Sequence, residues 1–287
     1  MSTASPSPGI RPGSESGYEV PQAQRDIDVA GHRLETCRYG SPAASLRVVL
    51  LHEGLGSVAA WRDFPARLAR QLGEPVLAYS RAGYGQSELP PASPRKPTFM
   101  HHEAQSVLPA LLRTLAIERP ILVGHSDGAS IALIHAGGLL RTTGGAAKTG
   151  PRPLGVVVLA PHLFVEPVTV GEIGKVAAAF DTSGLATRLS RYHRDPTATF
   201  RSWAGAWLSQ EFLQWNIEDA VAAIRCPLLA IQGREDQYGS ARQVERIGEL
   251  LPHARTLLLD ACRHSPHQDQ PTAVLAALTG FVAGLPH

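Results

Sequence analysis

Cysteine is scarce, and its three copies (Cys37, Cys226, Cys262) show no C-x-x-C spacing. That excludes a disulfide framework and a thiolate zinc site, and it fits a reducing compartment. An excess of charge of one sign is missing as well. Lys+Arg number 27 against 25 Asp+Glu, a net of +2, too balanced for a binder of nucleic acid or a membrane surface. No apolar run approaches the ~18 residues needed to span a bilayer. The first residues, MSTASPSPGIRPGSESGYEV, hold no apolar stretch that would make a signal peptide. Gly-rich phosphate loops of the Walker or dinucleotide kind are absent, and the 12 His are scattered rather than set at metal-ligand spacing. These absences leave a cytoplasmic protein, expected to need neither cofactor nor metal.

What is present is an ordinary globular composition, 44% hydrophobic and 18% charged over 287 residues. A compact fold of that size buries about three quarters of its extended-chain surface. Residues 1–22 are rich in Ser, Pro and Gly with little to bury, which predicts a disordered tail. Residues 25–39 read as a β-hairpin about Ala30-Gly31-His32. Buried strands are then expected at 46–51, 75–80, 121–123, 154–159, 226–231 and 256–259. Helical periodicity separates them: Trp61, Phe64, Leu68 and Leu72, a helix from about Phe99 to Ile117, another over 128–140, one through Val244, Ile247 and Leu250, and a last one over 272–282. Near-continuous apolar strands alternating with helices imply a parallel sheet covered on both faces, an α/β fold.

Two stretches break this rhythm. Residues 141–153 are Gly/Thr/basic without apolar period and read as a surface loop. Residues 164–223 are helical in tone and rich in aromatics, too long for one crossover helix, and read as a helical cap. Most of those aromatics are expected to pack the cap's own core. Trp203 and Trp207 are candidates for the substrate pocket.

The chemistry gathers at strand ends. Gly124-His125-Ser126-Asp127-Gly128 fits G-x-S-x-G between an apolar strand and a helix of small residues, where a tight turn lifts a serine hydroxyl above the sheet edge. Serine at neutral pH needs a base, and the base needs an orienting group. Asp236 follows the strand 226–231, and His264 follows the strand 256–259. The order Ser, Asp, His on three strand-end loops makes Ser126, Asp236 and His264 the candidate triad.

With these residues the chain resembles the α/β-hydrolase superfamily over nearly all of 25–284. His52-Glu53-Gly54-Leu55-Gly56-Ser57 resembles its oxyanion loop, usually H-G-x-G. Ser80-Arg81-Ala82-Gly83-Tyr84-Gly85-Gln86-Ser87 resembles its D-x-x-G-x-G-x-S turn, and 264–271 the stretch around its histidine. The resemblance implies an α/β-hydrolase fold: a mostly parallel eight-stranded sheet with helices on both faces, a core of 23–163 and 224–287, and a cap of 164–223. It implies a serine hydrolase of a small-molecule carboxylic ester, lactone or thioester, working through an acyl-enzyme on Ser126. Backbone N–H groups of Gly54 and Asp127 would hold the oxyanion, with Leu55 the alternative to Gly54. C–C bond hydrolysis, a menaquinone-pathway-type elimination and a non-catalytic ligand receptor are alternatives on the same scaffold. Amino-ester hydrolases of the valacyclovirase-like kind share an acid directly after the serine.

Three positions depart from the family pattern: Glu53, Ser80 and Arg263 stand where Gly, Asp and Gly are usual. Glu53 and Asp127 place carboxylates beside the expected oxyanion hole. Either they recognise a cationic substrate group, or Asp127 simply favours a helix N-terminus and Glu53 pairs with Arg81 or Arg263. Glu53, Leu55 and His162, the last in Ala160-Pro161-His162 at a strand end, are further candidates for substrate contact. His267 and His101-His102 read as structural.

Overall fold

The computed structural model describes residues 22–89, 95–138 and 150–286. The tail expected at 1–22 lies outside them except for Gln22, as does most of the loop expected at 141–153. Eight strands form one sheet in the order β1-β2-β4-β3-β5-β6-β7-β8. β1 (Gln22–Val29) and β2 (His32–Tyr39) make the antiparallel hairpin at its edge. β2 also runs antiparallel to β4 (Val76–Tyr79). β3 (Val48–Leu51), β5 (Ile121–His125), β6 (Gly155–Leu159), β7 (Leu228–Gly233) and β8 (Arg255–Leu259) continue from β4 in parallel. β3 to β7 are buried along their length, which is why they read as unbroken apolar runs. This is the α/β-hydrolase fold.

Helices cover both faces. On one face, α1 (Phe64–Leu72) packs against the last helix, α11 (Pro271–Ala283), with Phe64, Leu68, Leu275 and Leu278 in the same core. The other face carries α2 (Phe99–His102), α3 (Leu108–Thr114) and α4 (Asp127–Gly138). The single helix expected from Phe99 to Ile117 is broken by a π turn at Glu103–Val107. Pro109 explains the break: it cannot donate to the residue four before it, and a wider turn absorbs the misfit. α4 is buried nearly all round, as befits a central helix. Leu122 of β5 and Leu133 of α4 share one core at 0% exposure, and truncating either to Ala would cost about 2–5 kcal/mol.

Between β6 and β7 the chain forms α5 (Pro167–Ala179), α6 (Leu185–Leu189), α7 (Pro196–Trp207) and α8 (Glu218–Ala222). α9 (Arg242–Leu250) and the short α10 (Pro266–Asp269) complete the order. In this segment Phe180 stacks on Phe200 at 4.0 Å, and Phe212 on Trp215 at 5.3 Å. α7 is turned the other way, carrying Trp203 and Trp207 to the carboxyl edge of the sheet, where open α/β sheets bind ligands. No helix among the described residues is long and apolar enough to cross a membrane.

Candidate active site

Ser126 sits in the turn between β5 and α4 with φ at 52°, a left-handed conformation that costs a side-chain-bearing residue about 1–2 kcal/mol. Glycine on either side makes the turn possible. A Cβ on Gly124 would lie 2.3 Å from the Gly128 carbonyl oxygen, and one on Gly128 would lie 2.0 Å from that of Leu51. The Ser126 N–H donates to Leu159 O at 2.9 Å, tying the turn to β6.

The loops after β7 and β8 bring their side chains to this point. His264 Nε2 lies 2.9 Å from Ser126 Oγ, and its Nδ1 lies 2.9 and 3.0 Å from the two Asp236 oxygens. Asp236 is 1% exposed and accepts three more hydrogen bonds, from Tyr238 N–H, Gly239 N–H and Gln232 Nε2. Burial pushes its carboxyl up, but the His264 hydrogen bond and charge and the Tyr238 N–H outweigh it and hold it below the usual range. On the far side, His125 Nε2 donates to the His264 carbonyl at 2.7 Å and fixes that loop.

Beside Ser126 two backbone N–H groups, those of Gly54 and Asp127, donate to no protein acceptor among the described residues; Asp127 opens α4, where helical N–H groups lack partners. The alternative donor, Leu55 N–H, is taken by the Glu53 carboxylate at 2.7 Å. Arg81 fixes this loop from below. Its guanidinium donates to the carbonyls of His52 (2.5 Å) and Glu53 (2.9 Å), and its N–H to His52 Nε2 (3.0 Å). Of the alternatives for Glu53, the ion pair with Arg81 or Arg263 is not formed: Arg81 meets main-chain oxygens, and Arg263 lies at the surface beside Asp269. Burial raises the Glu53 carboxyl, opposed by the Leu55 N–H.

Asp127 is buried with both oxygens engaged, one by Trp203 Nε1 at 3.1 Å and one by Trp207 Nε1 at 3.2 Å. Burial raises its carboxyl to about 6 despite the Arg81 charge, and Glu53 adds to the rise. The third departure, Ser80, is answered by Glu35 of β2. Ser80 Oγ donates to Glu35 Oε2 at 2.7 Å, and Gln86 N–H donates to the same oxygen.

A cavity opens onto Ser126 and His264. The candidates Glu53, Gly54, Leu55, Asp127, His162, Trp203 and Trp207 all line it. Thr169, Ile173 and Tyr238 line it too and were missed in the sequence. Tyr238, two residues past Asp236, was the findable one, because its ring meets His264 edge-on at 4.9 Å. His267 packs under the site against Trp61 and Phe64, and His101 against Trp215. Among the described residues no cluster of His, Cys, Asp or Glu could hold a metal ion.

With this geometry in hand, comparisons place the chain among known proteins. The model of the alpha/beta hydrolase family matches residues 48–278. Epoxide hydrolase A of Mycobacterium tuberculosis is 26% identical, over 91% of this chain and 98% of its own. Among solved structures, the 2-hydroxy-6-oxo-6-phenylhexa-2,4-dienoate hydrolase of a Rhodococcus species superposes with TM-score 0.76 at 17% identity, covering 92% of this chain and 100% of its own. An enol-lactonase from Burkholderia xenovorans gives 0.69 at 20%, over 90% and 100%. Likeness at that identity speaks for the fold alone.

Proposed function

The chain belongs to the alpha/beta hydrolase family and is a hydrolase, and from that premise we propose that it cleaves small carboxylic esters, lactones or thioesters through an acyl-enzyme on Ser126. One observation carries the reading: the continuous run of hydrogen bonds from Asp236 through His264 to Ser126 Oγ, beside two unengaged N–H groups. His264 accepts the serine proton as the hydroxyl attacks the carbonyl carbon, and the charge on the carbonyl oxygen falls to Gly54 N–H and Asp127 N–H. His264 then returns the proton to the leaving alcohol or thiol. Water, deprotonated by His264, attacks the acyl carbon and frees the acid and Ser126. Asp236 keeps the Nδ1 proton in place and stabilises the imidazolium.

The same machinery argues against two neighbouring chemistries. Opening an epoxide with Ser126 would leave an alkyl ether, which has no carbonyl for water to attack. Substrates rich in carboxylates would meet Glu53 and Asp127, and no Lys or Arg lines the cavity among the described residues. The cavity's lining of Leu55, Ile173, Trp203, Trp207 and Tyr238 around Ser126 suits a small, partly apolar ester. Absence of a spanning helix and the paucity of cysteine support a cytoplasmic setting.

The test is intact mass after incubation with a fluorophosphonate. Wild type should gain one adduct and Ser126→Ala none. Wild type without an adduct would overturn the reading in favour of a ligand receptor.

A further inference from the structure

His162 is 2% exposed, yet neither nitrogen of its ring has a hydrogen-bond partner among the described residues. The ring is not loose. It stands two residues beyond Ala160, which takes a left-handed φ of 47° at the end of β6. Ser130 Oγ donates to the His162 carbonyl at 2.7 Å and accepts its N–H at 3.2 Å. Ser130 is one helical turn past Ser126, whose carbonyl accepts the Ser130 N–H at 3.0 Å. The position of His162 relative to the nucleophile is thus set by a single turn of α4. The next residue is held as firmly, Leu163 N–H donating to Gln243 Oε1 at 2.7 Å.

Around the ring, Trp207 lies edge-on at 5.1 Å and the His264 ring lies at 5.8 Å. The Gly239 backbone closes the Cε1 edge, since a Cβ there would come within 3.3 Å of it. Nδ1 is sealed off without a partner, which leaves Nε2 as the nitrogen that meets the cavity His162 lines. A sealed, unpaired N–H is rarer and costlier than a sealed lone pair, so the proton belongs on Nε2 and the cavity sees a donor. Burial, with the nearby His264, lowers the imidazole pKa to about 4, so the ring is neutral at physiological pH.

We infer that His162 is a specificity-determining residue of the ester-hydrolase site: its Nε2–H donates to a second, uncharged oxygen acceptor that the substrate carries near the reacting carbonyl. A keto, ether or hydroxyl oxygen satisfies this chemistry. A carboxylate would have to share the cavity with Glu53 and Asp127. The inference rests on the serine-hydrolase reading and names the class of ester within it.

The test compares two matched pairs of esters by kcat/KM, each ratio divided by that of the hydroxide reaction to remove inductive effects. Methyl levulinate against methyl pentanoate places the acceptor in the acyl half, and 2-methoxyethyl acetate against butyl acetate places it in the alcohol half. In wild type the acceptor-bearing ester should lead by about tenfold in one pair, the value of one directed hydrogen bond, and the responding pair identifies the half that His162 faces. His162→Leu should bring that ratio near one, and His162→Gln, which keeps an N–H, should restore part of it. Ratios of one in both pairs of the wild type, or a wild-type preference that survives in His162→Leu, would overturn the inference. Fluorophosphonate labelling of all three proteins reads the Ser126 machinery separately. A labelled wild type without preference refutes only the role of His162, whereas an unlabelled wild type refutes the serine-hydrolase reading itself.

Discussion

On the floor of the cavity, Ser126, Asp236 and His264 stand on short turns at the ends of β5, β7 and β8, fixed largely by main-chain partners such as Leu159 O, Tyr238 N–H and Gly239 N–H. The roof is held differently. α7 is tied to the floor by two indole N–H groups that converge on the one carboxylate of Asp127, and α5 by the Thr169 hydroxyl on the Tyr238 carbonyl. The two buried acids record the contrast. Asp236, with four donors including His264, titrates below the usual range, whereas Asp127, with two neutral indoles, is raised to about 6. The His264 hydrogen bond and charge, with the Tyr238 N–H, hold the Asp236 charge in place. Side-chain donors from a neighbouring helix hold that of Asp127 less completely.

The contrast breaks most sharply on the floor. Removing the proposed nucleophile in Ser126→Ala should lower kcat on a responsive ester by about 10⁶-fold with folding intact, as read by steady-state kinetics and circular dichroism. Asp236→Asn keeps the shape and loses the charge that sets the His264 tautomer. A loss of about 10⁴-fold in kcat is expected, with KM little changed.

Where floor meets roof the effect is smaller and conditional. A Cβ on Gly54 would lie 2.2 Å from Trp203 Nε1, so Gly54→Ala must displace either the loop carrying Gly54 or α7. A fall of about 10²-fold in kcat/KM is expected. Trp203→Ala in the same chain should recover part of it, and strictly multiplicative effects in the double-mutant cycle would show that the two do not touch.

The smallest effect belongs to the carboxylate that ties the roof to the floor. The Asp127 carboxyl is raised on folding from 3.8 to about 6, so the folded chain favours its protonated form. That contribution is fully present below pH 3.8 and is lost as pH rises through 6. Asp127→Asn cannot ionise. Its stability relative to wild type should therefore improve between pH 4 and pH 7, by on the order of 2 kcal/mol, in urea melts across that range. A difference independent of pH would mean that the two indoles hold the charge as well as the floor holds Asp236.

Much of the floor was legible in the sequence, because its chemistry lies at strand ends and strand ends are marked by periodicity. The parallel strands, the glycines around Ser126 and the order of Ser126, Asp236 and His264 are all local patterns, and the fold they implied is the one formed. The roof was less legible, since contacts between distant side chains leave no period. Nothing near Asp127 in the chain announces Trp203 or Trp207, 76 and 80 residues away. Arg81, one of two candidate ion-pair partners for Glu53, instead holds main-chain carbonyls. Ser80 looked like a loss until Glu35, 45 residues earlier, supplied the carboxylate. Pro109 was visible, yet the π turn it provokes is a compromise between backbone geometry and packing that periodicity does not encode.

The most direct test of the acyl-enzyme is rapid acid quench of a 4-nitrophenyl ester reaction, with intact mass and peptide mapping of the quenched protein alongside nitrophenolate release. An acyl adduct confined to Ser126, formed in step with a burst of about one nitrophenolate per chain, is the predicted result. Turnover of the ester with no acyl adduct at any time would contradict the account, because it would place water rather than Ser126 at the carbonyl.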